Sequence, residues 1–256
     1  MRAITTIAWK DFRLMVTSPM FFMIAGLCSV IWSYSYLRNL VMFAQRSSQM
    51  AGAHGMQGSM NIHFSLFVQH ISYVNIIFIF AIPALTMRLI AEEKKLSTFN
   101  LLLTSPITAT DIAVGKFLAG FGGAMALMAV ALLYPLATTF ISDFPVGPLV
   151  TSFTGLALMT GAYVAAGLFA SSLTQSVVLS VVMGVIFNLI MWFLGQGSDM
   201  SDNATVMAVL EHLSIGQHFF SFLKGGFRVS SIVFFVSVIG LFVFLTQRVV
   251  EASRWR

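Results

Sequence analysis

The sequence predicts an all-α membrane protein in one domain, residues 1–256: six transmembrane helices, an N-terminal amphipathic interfacial helix, a cytoplasmic helix between spans 2 and 3, and short outer helices between spans 5 and 6. Three observations predict it. Hydrophobic residues make up 58% of the chain and charged residues only 9%, against roughly 25% charged in a soluble domain. The charges are absent from long runs, and the runs have the length of a bilayer crossing. The basic residues collect in alternate connecting segments.

Residues 2–17 precede the first charge-free run and show helical periodicity. Arg2, Thr6, Lys10, Arg13 and Thr17 share one face, and Ile4, Ile7, Ala8, Phe12, Leu14 and Met15 the other. This is read as a helix lying along the inner leaflet. Asp11 interrupts the apolar arc, so either it snorkels or pairs locally, or this face packs on protein and Asp11 meets a basic group.

The spans follow from the cost of burying charge, about 2.5–3.5 kcal/mol for an ionised side chain at a helix centre. Between Arg13 and Arg38 there are 24 uncharged residues, between Lys116 and Asp143 there are 26, and between Arg228 and Arg248 there are 19. Each run accounts for one span, at 20–37, 112–140 (which begins just before its run and takes in Lys116) and 230–247. The 55 uncharged residues between Asp143 and Asp199 are too many for one crossing. The polar stretch Ser171, Ser172, Thr174, Gln175, Ser176 divides them into 149–170 and 177–194. Between Arg46 and Arg88 the Gly-, Ser- and Gln-rich half is excluded, leaving 68–87. Pro83 falls in that span as a point of bending.

Six crossings place both termini on one side. The N-terminus, Arg88 to Lys116 and the C-terminus hold 10 of the 14 Lys and Arg residues, so both ends are expected in the cytoplasm. The N-terminal run is longer than the apolar core of a signal peptide, and no cleavage pattern follows it closely.

Residues 88–116 are too short for an enzyme domain and too organised for a slack linker. Glu92, Glu93, Lys94 and Lys95 form a charge cluster, Thr98 to Leu103 a short apolar helix, and Ser105-Pro106 a break. A further helix is expected from Thr110-Asp111, capped by either residue. Phe99, Leu101, Leu102 and Leu103 would need burial, which favours a docking surface over a solvated loop.

On the other side, Met50 to His63 gathers Met50, His54, Met56, Met60 and His63 among glycines. Thioether and imidazole suit copper, but the chain has 16 Met throughout, and no metal site is assigned. Short helices are expected around Val206–Leu213 and Phe219–Leu223, with Gly225-Gly226 as a hinge. The single cysteine, Cys28, excludes an internal disulfide.

The chemistry is otherwise sparse. Apart from Lys116 near the start of span 112–140, no Asp, Glu, Lys or Arg lies in the spans, and Asn75 and Asn188 are the strongly polar side chains read there, as helix contacts or as lining of a substrate path. No HExxH pair is present, and Gly115-Lys116 lacks the spacing of a phosphate-binding loop. A catalytic centre and a cofactor of the chain's own are therefore not expected, nor is nucleic acid as a partner.

Three segments resemble one family. AEEKKLSTFNLLLTSPITATDIAVGKFLAG (Ala91 to Gly120), WKDFRLMVTSPMFF (Trp9 to Phe22) and GLFASSLTQSVVLS (Gly167 to Ser180) resemble ABC-2 type export permeases. LSIGQHFFSFLKGGF (Leu213 to Phe227) is similar to the subgroup serving gliding motility and nitrous-oxide-reductase maturation. The sequence departs from that pattern at Ser97, where glycine is usual before the threonine, and at Asn100, where glutamate often follows. The resemblance implies a permease in a bacterial inner membrane, paired with itself or a homologue, with an ATP-binding subunit below that holds ATP and Mg. It also implies a coupling surface: Asp11, Glu92, Glu93, Lys94, Lys95, Thr98, Phe99, Leu101, Leu102, Leu103, Ser105, Pro106 and Lys116. The alternatives are a non-transporting anchor that recruits an ATPase and, against the empty spans, an intramembrane enzyme.

Overall fold

The computed structural model describes residues 2–52, 61–140, 142, 144–194, 205 and 212–254. Among them the chain is helical without strands: α1 (Arg2–Val16), α2 (Pro19–Gly52), a π-turn (His63–Phe67) that runs into α3 (Val68–Lys95), α4 (Phe99–Thr104), α5 (Ala109–Thr138), α6 (Val146–Leu173), α7 (Val177–Phe193), α8 (Ile215–Leu223) and α9 (Val229–Ala252). Five segments are long and apolar enough to cross a bilayer: Pro19–Gln49, His63–Lys95, Ala109–Thr138, Val146–Leu173 and Val229–Ala252. The fifth of the six expected spans, α7, has 17 residues, about 26 Å of helix against a hydrocarbon core of about 30 Å.

The helices overrun the expected spans at their ends. α2 continues from the expected limit at 37 to Gly52, because Arg38 and Arg46 end the apolar run without ending the backbone ladder. α3 likewise continues past 87 through the charge cluster to Lys95. The start of α5 is capped by Thr108, not by Thr110 or Asp111. Thr108 accepts from the Asp111 N–H at 3.1 Å, and the Thr108 N–H donates to Asp111 Oδ2 at 3.1 Å, a reciprocal box that satisfies two otherwise orphaned donors. The expected helix at Val206–Leu213 lies largely outside the described residues; Phe219–Leu223 belongs to α8.

α6 is the hub. Its glycines let three neighbours approach: Gly155 lies under Phe222 of α8, Gly161 under Ile239 of α9, and Gly167 against Thr86 of α3. Small residues at such crossings let the helices gain dispersion contact where lipid supplies no hydrophobic drive. α5 offers a similar strip to α1, with Gly115 against Ile7, Gly122 against Phe12 and Gly123 against Met15. The apolar face of α1 therefore packs along α5 for two turns.

Two prolines inside spans set the polar pairing of the core. Pro83 has no N–H, so the Ile79 carbonyl one turn earlier loses its intrahelical donor. Asn188 of α7 replaces it, Nδ2 donating to Ile79 O at 3.2 Å, while Gly184 of α7 sits against the Pro83 ring. In α5, Pro135 frees the Ala131 carbonyl in the same way, and His70 Nε2 of α3 donates to it at 3.0 Å. His70 is fully buried. The sequence reading of the spans as holding only Asn75 and Asn188 among strongly polar groups omitted it. Around His70 a hydroxyl cluster holds α2, whose outer face is otherwise exposed: Tyr36 bonds Thr138, and the Tyr134 hydroxyl donates to the Ser29 carbonyl at 2.9 Å.

Candidate functional site: the elbow and its buried ion triad

The end of α3, the short α4 and the start of α5 form an elbow, and its ionic centre is buried. Lys116, in the second turn of α5, is 1% exposed. Its Nζ donates to Asp11 Oδ2 of α1 at 3.0 Å and lies 2.8 Å from Glu93 Oε2 of α3, the latter an ion pair without hydrogen-bond geometry. Asp11 is 7% exposed, Glu93 is 21% exposed, and the second Asp11 oxygen reaches the exposed Lys10 at 3.2 Å. One ammonium thus joins three helices. Of the two readings open for Asp11, the structure shows the protein-packed one, with the local Lys10 contact added.

The position of the triad follows from the glycine strip. Gly115 brings α1 close enough for a one-turn reach from Asp11 to Lys116, and Gly120 admits Leu89 of α3, which sets Glu93 one turn further along. A buried ion this constrained is costly to leave unpaired.

The rest of the elbow is held by backbone caps. Glu92 pairs with Arg88 on its own helix at 2.8 Å. Lys94 donates to the Ser172 carbonyl at the end of α6 and lies over the Phe99 ring, 5.4 Å from its centre. The Ser171 hydroxyl donates to Met87 O at 3.1 Å and accepts from the Ala91 N–H at 2.9 Å, so the end of α6 is spliced into α3. Lys95 is exposed. α3 stops at Ser97, which adopts φ +59°, a left-handed conformation that favours glycine. This accounts for the glycine usual there in the family pattern. The Thr98 hydroxyl donates to the Glu93 carbonyl at 3.3 Å, so Thr98 stabilises the turn directly behind the triad.

α4 presents less apolar surface than the sequence implied. Phe99 is buried in the chain's own core, Leu102 and Leu103 are half-buried against it, and Leu101 projects, 72% exposed. Ser105 is extended (ψ 151°) ahead of the exposed Pro106, its hydroxyl returning to Leu101 O at 2.9 Å. Arg254, past α9, donates to the Ile107 carbonyl in the α4–α5 turn. A cleft of about 260 Å³ opens beside the triad, lined by Asp11, Leu14, Met15, Arg88, Glu92 and Leu96 among others.

The other residues singled out lie elsewhere. Asn75 and Asn188 are fully buried between helices. His63 is buried with Nε2 bonded to the Leu223 carbonyl at 2.8 Å. His54, Met56 and Met60 fall outside the described residues, as does the Met50 side chain.

An amphipathic N-terminal helix, a long apolar helix ending in a charged turn, a short helix and a Gly-Lys near the start of the next long helix form one connected unit. Residues 5–224 match the family model described as ABC-2 family transporter protein. The chain belongs to the ABC-2 transporter family. No curated protein matches it. As an ABC-2 permease it is a multi-pass membrane component of an ABC system, not itself catalytic, of a kind that works with an ATP-binding subunit. The matched residues take in α1, the elbow and α8, and stop before α9. What sequence reasoning missed in this permease is the burial of Lys116 and its two-carboxylate environment. The departure at Ser97 was the one signal of the left-handed turn beside it.

Proposed function

We propose that this chain is the membrane-spanning subunit of an ATP-driven exporter, that the elbow carries force from a separate ATP-binding subunit into the spans, and that this partner holds ATP and Mg. The observation that carries the reading is the buried Asp11–Lys116–Glu93 junction. An elbow serving only as a loop has no need to lock its two flanking spans and an amphipathic helix through one desolvated ammonium. In this reading Leu101 and its exposed neighbours Asn100 and Pro106 enter the partner. Displacement of α4 moves the end of α3, and the triad passes that movement to α1 and α5 together. Lys94 and Ser171 pass it to α6. Pro83, with its carbonyl partner on α7, absorbs bending of α3.

The reading counts α7 as a sixth crossing. It is apolar throughout, and it returns from α6 through only Thr174 to Ser176. With six crossings and the charge distribution of the sequence, both termini lie in the cytoplasm of a bacterial cell, α1 lies at the inner leaflet, and two permease copies or homologues pair in the inner membrane. The resemblance of Leu213 to Phe227 favours a role in motility or maturation machinery. The test is Glu93→Lys: it should lower permease-dependent ATPase activity or co-purification of the ATP-binding subunit while membrane insertion is unchanged. Full coupling in that variant removes Glu93 from the path.

A further inference from the structure

The end of the molecule opposite the elbow carries a second charged feature that force transfer does not use. α6 runs about 42 Å between the two ends, with Ser172 beside Lys94 and Pro148 beside Gly225. At the Pro148 end, a cleft of about 520 Å³ lies between α8 and the start of α9, lined by Gln217, His218, Ser221, Lys224, Arg228 and Ser230 among others.

Its cations are placed by an ordered turn. Gly225 has φ +80°, its N–H donates to Phe222 O at 3.0 Å, and the Gly226 N–H donates to Ser221 O at 3.1 Å. This is the hydrogen-bond pair of a Schellman cap, so Gly225-Gly226, read from the sequence as a hinge, forms an ordered corner in this structure. The corner holds Lys224 on one side and Arg228 on the other. His218 forms a wall: Nε2 donates to the His212 carbonyl at 3.1 Å, Nδ1 accepts from the Ser231 hydroxyl at 3.0 Å, and the ring stacks on Phe234. Both ring nitrogens are occupied, which leaves the two permanent cations facing the opening. No carboxylate lines the cleft among the described residues.

The surroundings identify the ligand class. Phe227 and Val229, which flank the cleft residue Arg228 in the chain, and Val233 one turn on along α9 are 59%, 72% and 58% exposed. A guanidinium and an ammonium beside polar hydroxyls suit a phosphate. A phosphate attached to acyl chains would also cover the adjoining apolar strip. We propose that this cleft binds the headgroup of an anionic phospholipid at the end of α9. That this end of α9 meets the outer leaflet rests on the topology proposed above; the cleft itself does not.

The test uses the purified full-length permease without any ATPase, so its outcome is independent of coupling. Unfolding midpoints are measured with added phosphatidylglycerol, phosphatidylcholine or inorganic phosphate, for the parent and for Lys224→Gln/Arg228→Gln, and retained lipid is counted by native mass spectrometry. Phosphatidylglycerol should raise the parent midpoint by several degrees through preferential binding to the folded state, and should do so at most half as much in the double variant. Phosphatidylcholine and phosphate should have no such effect. Lys224→Arg/Arg228→Lys should retain the response and the lipid. Equal stabilisation and equal lipid retention in parent and Gln variant overturn the proposal. So does a response to phosphate alone, which would assign the cleft to a soluble anion.

Discussion

Replacing Lys116 by Met tests the triad most severely, because it removes the one cation that Asp11 and Glu93 share while keeping the volume of the side chain. Both carboxylates then face the same desolvated space. Removing one partner of a buried ionic group costs about 3–5 kcal/mol. Two features of the structure place this case at the lower end. Glu93 keeps some solvent contact, and Asp11 keeps Lys10. At about 2–4 °C per kcal/mol for a chain of this size, the unfolding midpoint should fall by roughly 6–12 °C. Neutralising the whole group, with Asp11→Asn, Glu93→Gln and Lys116→Met together, removes the uncompensated charge and should restore most of the loss, since an apolar or neutral replacement of a buried ionic group is often nearly neutral. The assay is a thermal melt of the detergent-purified permease for the single and triple variants, with the Asp11→Asn single as a third point. A Lys116→Met midpoint within 1 °C of the parent would refute the burial argument. A triple variant no better than the single would show that the loss comes from packing and not from charge.

Other expectations follow from the same structure. Asn188→Leu should strand the Ile79 carbonyl and cost about 1–3 kcal/mol, but in a Pro83→Ala background, where residue 83 regains an N–H, the same change should cost measurably less; equal costs in the two backgrounds would break the link between these residues. Ser97→Gly should raise the midpoint, by about 0.5–1 kcal/mol after the entropy that glycine loses on folding is set against relief of the left-handed strain, and a lower midpoint would contradict the turn as described. Burial holds the His218 imidazole below its ordinary 6.5, with the His212 carbonyl opposing that shift and charges on His212 and Arg228 adding to it. Its neutral form is the folded one, so its contribution is complete above pH 6.5 and is lost as pH falls through the lowered folded value. His218→Gln should therefore flatten the stability profile below pH 6.5; a profile unchanged by the substitution would exclude His218 as its source.

Much of this architecture was legible because charge is so expensive in lipid. The charge-free runs located α5, α6, α7 and α9 to within a few residues at most ends, and the polar cluster around Thr174 located the turn between α6 and α7. The overruns of α2 and α3 were not legible for the same reason: absence of charge marks where lipid begins, while a helix ends where its backbone ladder is capped. The Asp11 anomaly left a buried basic partner as one of two readings, and only the glycine strip of α5, seen in three dimensions, identifies that partner as Lys116. The pairings of Pro83 with Asn188 and of Pro135 with His70 join residues 105 and 65 positions apart in the chain, and neither proline announces which helix supplies the missing donor. Phe99 and Leu101 look alike in sequence. Their opposite exposures follow from α4 itself, in which side chains two residues apart project to nearly opposite sides.

The most direct test of force transfer through the elbow is site-specific cross-linking in native membranes. A Leu101→Cys variant, probed with a short bifunctional reagent after co-expression with the ATP-binding subunit, should form a permease–ATPase adduct whose yield changes between ATP-bound and nucleotide-free conditions. An intact, ATP-hydrolysing complex that cross-links to the subunit from the α8 end, at Ser221→Cys, but never from position 101 would contradict it.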